Sequence, residues 1–131
     1  MYLRFLNCKV KQLNFEKGRL GEEIACRLIE KKGYRIVETN FRTRFGELDI
    51  IASKDNFLVF VEVKLKVGTD FGLPEEMINQ AKLLQVRKTA EVYLQQNPAV
   101  ANSFTQYRID AVCIVLDENN TVKEARHYEN I

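Results

Sequence analysis

Histidine is almost missing from this chain of 131 residues, which carries only His127, and cysteine is scarce and scattered at Cys8, Cys26 and Cys113. One imidazole and three dispersed thiols without a C-x-x-C pair are too few soft ligands for a zinc site. An odd, widely spaced set also excludes a disulfide framework and reads as reduced, mostly buried thiols in a cytoplasmic protein. No apolar run approaches the length of a membrane span. The N-terminal stretch MYLRFLNCKVKQLNF is interrupted by Arg4, Asn7, Lys9 and Lys11 before it reaches the length of a signal-peptide core. Repeats and low-complexity tracts do not occur.

What is present suits one soluble globular domain able to bury a core, with 46% hydrophobic and 29% charged residues. The formal charge of +2 hides an asymmetry, because residues 1–66 hold fourteen Lys/Arg against nine Asp/Glu and residues 67–131 hold six against nine. Positive charge concentrated in one half suits a polyanionic partner. A solvated surface accounts for so modest an excess nearly as well.

Residues 1–16 read as an irregular N-terminal arm and residues 17–131 as the domain. From Gly18 to Lys32, Leu20, Ile24 and Leu28 recur at helical spacing with Gly21, Ala25 and Ile29 beside them, and Gly33 ends the helix. Glu22 and Glu23 fall in its predicted first turn, where they would answer the helix dipole. Glu22 also lies beside the Ala25–Ile29 edge of the buried face, with small Gly18 and Gly21 allowing close approach. A strand is predicted over Tyr34–Phe41, followed by the connection Arg42-Thr43-Arg44-Phe45-Gly46. Later, Pro74 opens a helix predicted to run to about Gln96, before Asn97-Pro98 breaks it. This helix carries two apolar stripes, one through Met77, Ala81, Leu84 and Val92, the other through Leu83, Val86, Ala90 and Tyr93. One stripe can cover a sheet; the other needs the arm, a C-terminal segment or a second subunit, so a homodimer is one way to bury it. Tyr107–Leu116 is a strongly apolar strand reached by a parallel crossover, and Val122–Tyr128 is the last strand. Asp110, inside an apolar run, reads as a satisfied structural carboxylate before a supporting acid of a site, and His127 as structural.

The centre of the chain is GELDIIASKDNFLVFVEVKLK at residues 46–66. Leu48–Ser53 and Phe57–Lys64 are rich in Ile, Val and Phe and flank the polar run Lys54-Asp55-Asn56, which makes a hairpin the expected structure. With Asp55-Asn56 as a two-residue loop, residues whose numbers sum to 111 face each other, so Asp49 lies opposite Glu62. Two like charges so placed repel. A divalent cation between the carboxylates turns repulsion into coordination, and hard ions such as Mg²⁺ take oxygen ligands of this kind. Lys64 shares the face of Glu62 by strand alternation. Glu47 is assigned to the opposite face and ranks as a weaker candidate. Arg42 and Arg44, in the neighbouring connection, suit phosphate groups, and equally suit an ordinary exposed turn.

The order helix, three antiparallel strands, helix, strand resembles the core of the PD-(D/E)xK nuclease superfamily, which includes restriction endonucleases and archaeal Holliday-junction resolvases. The segments KGRLGEEIACRLIEKKGY at 17–34, NFRTRFGELDIIA at 40–52, VFVEVKLK at 59–66 and FGLPEEMINQAK at 71–82 resemble the YraN-like family of predicted bacterial nucleases, over nearly the whole chain beyond residue 15. The resemblance implies an α/β, restriction-endonuclease-like αβββαβ core with a mixed central sheet flanked by helices. It implies Glu22 as the helix-borne acid, Asp49 as the aspartate of the "PD" element, and Glu62 and Lys64 as the E-x-K. Leu48 stands in place of the superfamily's proline, and Leu83 follows Lys82 where a glutamine is frequent.

The function so implied is a metal-dependent endonuclease hydrolysing phosphodiester bonds, in DNA before RNA. Asp49 and Glu62 would hold Mg²⁺ or Mn²⁺ with the Val63 carbonyl, Glu22 would bind through water or at a second ion, and Lys64 would act on the attacking water. Arg42, Arg44, Lys66 and Lys82 form the expected nucleic-acid contacts. Two other readings fit the same residues: a nucleic-acid-binding module without chemistry, and a protein-interaction domain built on the two-sided second helix.

Overall fold

The computed structural model describes residues 17–70 and 72–131, so the arm expected over 1–16 lies outside the described residues. The chain runs α1 (Lys17–Lys31), β1 (Arg35–Thr43), β2 (Gly46–Lys54), β3 (Phe57–Val67), a 3-10 turn (Pro74–Met77), α2 (Gln80–Gln96), a short α3 (Pro98–Asn102), β4 (Gln106–Leu116) and β5 (Val122–Tyr128). The five strands form one sheet in the order β1-β2-β3-β4-β5. Antiparallel pairing joins β1 to β2, β2 to β3 and β4 to β5, whereas β3 and β4 are parallel. The parallel pair follows from the helical crossover between them, which returns the chain to the same end of the sheet.

Each face of the sheet is sealed by one helix. Leu20, Ile24 and Ile29 of α1 pack on Ile50, Val59, Val61, Val112 and Ile114, while Val86, Ala90 and Tyr93 of α2 pack on Leu48, Ile51, Leu58 and Phe60. Alternation along β3, odd residues toward α1 and even ones toward α2, divides one continuous apolar strand between two cores. This is the mixed sheet flanked by helices, a restriction-endonuclease-like core, that the order of elements implied. The second apolar stripe of the crossover does not join it: Met77 and Leu84 are exposed.

Several boundaries differ from those predicted. Arg42 and Thr43 belong to β1, because Arg42 pairs with Glu47 and Thr43 with Gly46. Glu22 and Glu23 lie beyond the first turn of α1, which begins at Lys17. The helix predicted from Pro74 is interrupted at Ile78, whose backbone is non-helical (φ −99°, ψ 84°). Asn79 then starts α2, its side chain accepting a hydrogen bond from the Lys82 N–H at 2.9 Å. An asparagine there satisfies a donor that no helical carbonyl reaches. Gly21 is packed as expected, since a Cβ there would lie 3.3 Å from the Leu65 Cβ, whereas a Cβ on Gly18 would meet nothing within 4 Å.

Asp110 is fully buried and fully paired. It accepts from Arg108 Nε at 2.8 Å, Arg108 Nη2 at 2.9 Å and the Asn130 N–H at 3.0 Å, and lies 2.7 Å from His127 Nε2. These partners hold its carboxyl below the usual range against the cost of burial. Both residues are therefore structural, fastening β4 to β5. For the cap, Asn79→Ala is expected to lower stability by about 1 kcal/mol in urea unfolding, with little change in the slope of the transition.

Candidate metal centre

The hairpin has the predicted register. Its ladder runs from Lys54 opposite Phe57 to Ile50 opposite Val61, and Asp55 takes the left-handed conformation (φ 53°) that the tight turn requires. Beyond Ile50 the Val63 N–H donates instead to Asp49 Oδ2 at 2.8 Å. A side-chain carboxylate has taken the place of a strand carbonyl, which seats Asp49 between β2 and β3. On its other side β1 matches this irregularity: Thr39 pairs with Ile50 and Phe41 with Leu48, and the intervening Asn40 turns to φ 57°. Asparagine tolerates that conformation better than most residues, so an Asn inside a predicted strand was the available sign of a break.

Glu22 from α1 and Glu47 and Asp49 from β2 place carboxylate oxygens within 4.8 Å of one another. A cleft of about 420 Å³ covers them, lined by Gly18, Arg19, Glu22, Asn40, Arg42, Glu47, Asp49 and Val63. The assignment of Glu47 to the opposite face is corrected here. Residues two apart on a strand share a side, and Glu47 joins Asp49 for that reason.

Glu62 occupies a different place in the constellation. Its side chain is only 3% exposed and lies next to Asp49, whose carboxyl it perturbs. Lys64 Nζ stands 3.7 Å and Lys82 Nζ 3.1 Å from its Oε2. These are charge contacts without hydrogen-bond alignment, because Glu62 Oε2 has no hydrogen-bond partner. Lys82, expected at nucleic acid, is thus turned toward Glu62 from the first turn of α2. It also donates to Gln85 Oε1 at 3.3 Å, and Gln85 Nε2 donates to the Phe45 carbonyl at 2.9 Å, tying α2 to the β1–β2 turn. Spacing along the chain gave no sign of Gln85, because its partner is a main-chain group forty residues away.

Among the expected phosphate contacts, Arg42 has a 75% exposed side chain with its Nε 3.6 Å from Glu47 Oε1. Arg44 is exposed over the Phe45 ring, and Lys66 is half-buried on β3. Arg42 lies near the end of β1 and Arg44 in the turn leading into β2, while Lys66 shares β3 with Glu62.

So many carboxylates in one partly dry place perturb one another. Burial, followed by the hydrogen bond and charge of Glu62, pushes the Asp49 carboxyl up to about 8, and the Val63 N–H only partly opposes this. Burial and then the charge of Glu47 also raise Glu22, against Arg42 and a hydrogen bond from Asn40. The Asp49 carboxyl therefore keeps its proton at neutral pH when no cation is present. Glu22 Oε1 is buried and has no hydrogen-bond partner. Unpaired oxygen donors, clustered negative charge and the absence of imidazole or thiol from the group fit a hard divalent cation such as Mg²⁺ or Mn²⁺.

The family profile described as "Uncharacterised protein family UPF0102" matches residues 21–114, a span holding every acid and lysine of this cluster. A UPF0102 protein of Syntrophomonas wolfei is 41% identical over 109 residues, covering 83% of this chain and 92% of the relative. One from Caldicellulosiruptor bescii is 44% identical over 105 residues, 80% of this chain and 87% of the relative. One from Dictyoglomus thermophilum is 33% identical over 117 residues, 89% and 97% of the two chains.

The raised pKa of the Asp49 carboxyl has a measurable consequence. The folded carboxyl of Asp49 holds its proton more tightly than an unfolded aspartate, which titrates near ~4, so the associated stability is present below that pH and is lost as pH rises through about 8. Glu22, Glu47 and Glu62 are the acids around it. Chelator-treated protein is expected to lose on the order of a few kcal/mol over this window in denaturant titrations, and Asp49→Asn to flatten the dependence.

Proposed function

We propose, from the premise that the chain belongs to the uncharacterised protein family UPF0102, the YraN-like family, that it is a divalent-metal-dependent nuclease hydrolysing phosphodiester bonds, in DNA before RNA. The observation that carries this reading is the convergence of Glu22, Glu47 and Asp49 within 4.8 Å, beside the buried Glu62 and its two lysines. Four acids gathered at the break of a hairpin cost stability unless they have a task.

Glu22, Glu47 and Asp49 would hold the cation, with Glu62 and the Val63 carbonyl completing the ligand set as Asp49 gives up its proton. A bound Mg²⁺ or Mn²⁺ polarises the phosphate and makes a water acidic enough to attack at neutral pH. Lys64, paired with Glu62 at the edge of the site, orients the water and balances charge developing on the phosphate. Lysine suits this role because a partly desolvated ammonium can also lose its proton. Lys82 pairs with Glu62 more closely than Lys64 does and leaves Lys64 available to the substrate. Arg42 and Arg44, exposed at the rim, suit the flanking phosphates.

Incubation with branched, duplex and single-stranded DNA and with RNA, in Mg²⁺, Mn²⁺ or chelator, tests the assignment. Wild-type protein is expected to give metal-dependent products. Asp49→Asn should abolish them, and Lys64→Ala should lower cleavage about 10²-fold or more while changing nucleic-acid affinity little. Salt-sensitive binding without products would favour a non-catalytic binding module, and products that survive Asp49→Asn would sink the assignment of this site. Lys82→Ala separates two roles for that residue: a phosphate contact lowers the slope of log affinity against log salt by about one unit, whereas a Glu62 partner leaves the slope unchanged.

A further inference from the structure

The carboxylate cleft does not end at Val63. A second hollow of about 210 Å³ adjoins it, lined by Gly18, Gly21, Val63, Lys64, Leu65 and Met77, and Gly18 and Val63 line both spaces. One chamber is acidic, and the next mixes polar surface with the apolar side chains of Val63, Leu65 and Met77. Lys64 is part of the second wall, with its Nζ 3.7 Å from Glu62 Oε2.

Two parts of that wall are not explained by packing among the described residues. Glycine in a helix is less favourable than alanine, and a tight neighbour is the usual reason for keeping it. Gly21 has such a neighbour in Leu65; Gly18 is exposed, with open space where its Cβ would be. A side chain at Gly18 would project where the two chambers meet. Met77 is 45% exposed at the end of the 3-10 turn, an unbranched apolar side chain left at the mouth of the hollow. Such a side chain adapts to flat, polarisable surfaces.

We propose that the second hollow is a subsite for one unpaired nucleobase of the substrate, next to the phosphate being cleaved. This rests on the nuclease reading above and specifies its substrate class. A nucleotide carries its base one sugar away from its phosphate, so a phosphate held at the carboxylates and Lys64 brings a base to the adjoining chamber. Val63, Leu65 and Met77 supply apolar contact to the base faces, a form of recognition that tolerates sequence because every base has such a face. In an intact duplex the bases are stacked toward the axis and cannot enter a lateral hollow unless flipped out. The preferred substrate is therefore nucleic acid with an unpaired nucleotide at the cut: a single strand, a flap or a branch point.

The test uses the full chain and oligonucleotides in which one abasic nucleotide is stepped along a single strand. Binding is read by fluorescence anisotropy in Ca²⁺ and cleavage in Mn²⁺. For wild-type protein one abasic position should weaken binding and cleavage about tenfold, and intact duplex should be cut more slowly than a flap. Met77→Ala should weaken binding of the intact single strand by a similar factor and remove the abasic effect. Gly18→Met, which fills the passage from an exposed helix position, should do the same, with Gly18→Ala as the folding control. An abasic effect of equal size in wild type and Met77→Ala, or no position dependence in either assay, overturns the subsite even if cleavage occurs. Position-dependent binding without cleavage leaves the subsite standing and overturns the nuclease reading, whereas absence of nucleic-acid binding overturns both.

Discussion

The hydrogen bond from the Val63 N–H to the Asp49 carboxylate is the contact on which the site depends. An antiparallel hairpin normally continues its ladder until one strand ends, and here a side chain ends it early. That substitution satisfies a main-chain donor that would otherwise be lost and holds an aspartate between strands instead of on one face. From there Asp49 reaches Glu62 on the α2 side as well as Glu22 and Glu47 around the cleft. Asn40, in its left-handed conformation on the neighbouring strand, accommodates the same break from the other edge.

Charge balance around this break explains why both helices matter. Glu22 comes from α1, and Lys82, which meets Glu62, comes from α2. The cores beneath the two helices are separate, so each side of the site is positioned by its own apolar contacts. Farther along the sheet, the buried Asp110 carboxylate is paired with Arg108 and lies against His127. Asp110 has its hydrogen-bond donors, whereas Glu22 Oε1 is buried without one and Glu62 Oε2 has charge contacts only. Incomplete satisfaction inside an otherwise well-packed fold is the physical reason for assigning the first group a role beyond structure.

Much of this was legible in the chain because it depends on local periodicity. Runs rich in Ile, Val and Phe located β2 and β3, the polar Lys54-Asp55-Asn56 set their register, and the register brought Asp49 toward Glu62. Gly33, Asn97 and Pro98 marked the ends of helices through their own backbone preferences. Other features were missed because they depend on departures from regularity. Arg42 and Thr43 were read as a loop, although they pair with Glu47 and Gly46. The cap at Asn79 lay within a stretch that otherwise looked helical from Pro74. Glu47 was set aside by a misassigned strand face, not by lack of signal.

The sequence by itself determined the order of elements, the register of the central hairpin and the family, because each is written in short-range patterns of apolarity, turn residues and motif spacing. Tertiary structure alone decided which acids share the cleft, that Lys82 meets Glu62, and that Gln85 ties α2 to the Phe45 turn. Those contacts join residues from different elements through side-chain reach and the early end of one ladder. No periodicity along the chain encodes distances of that kind.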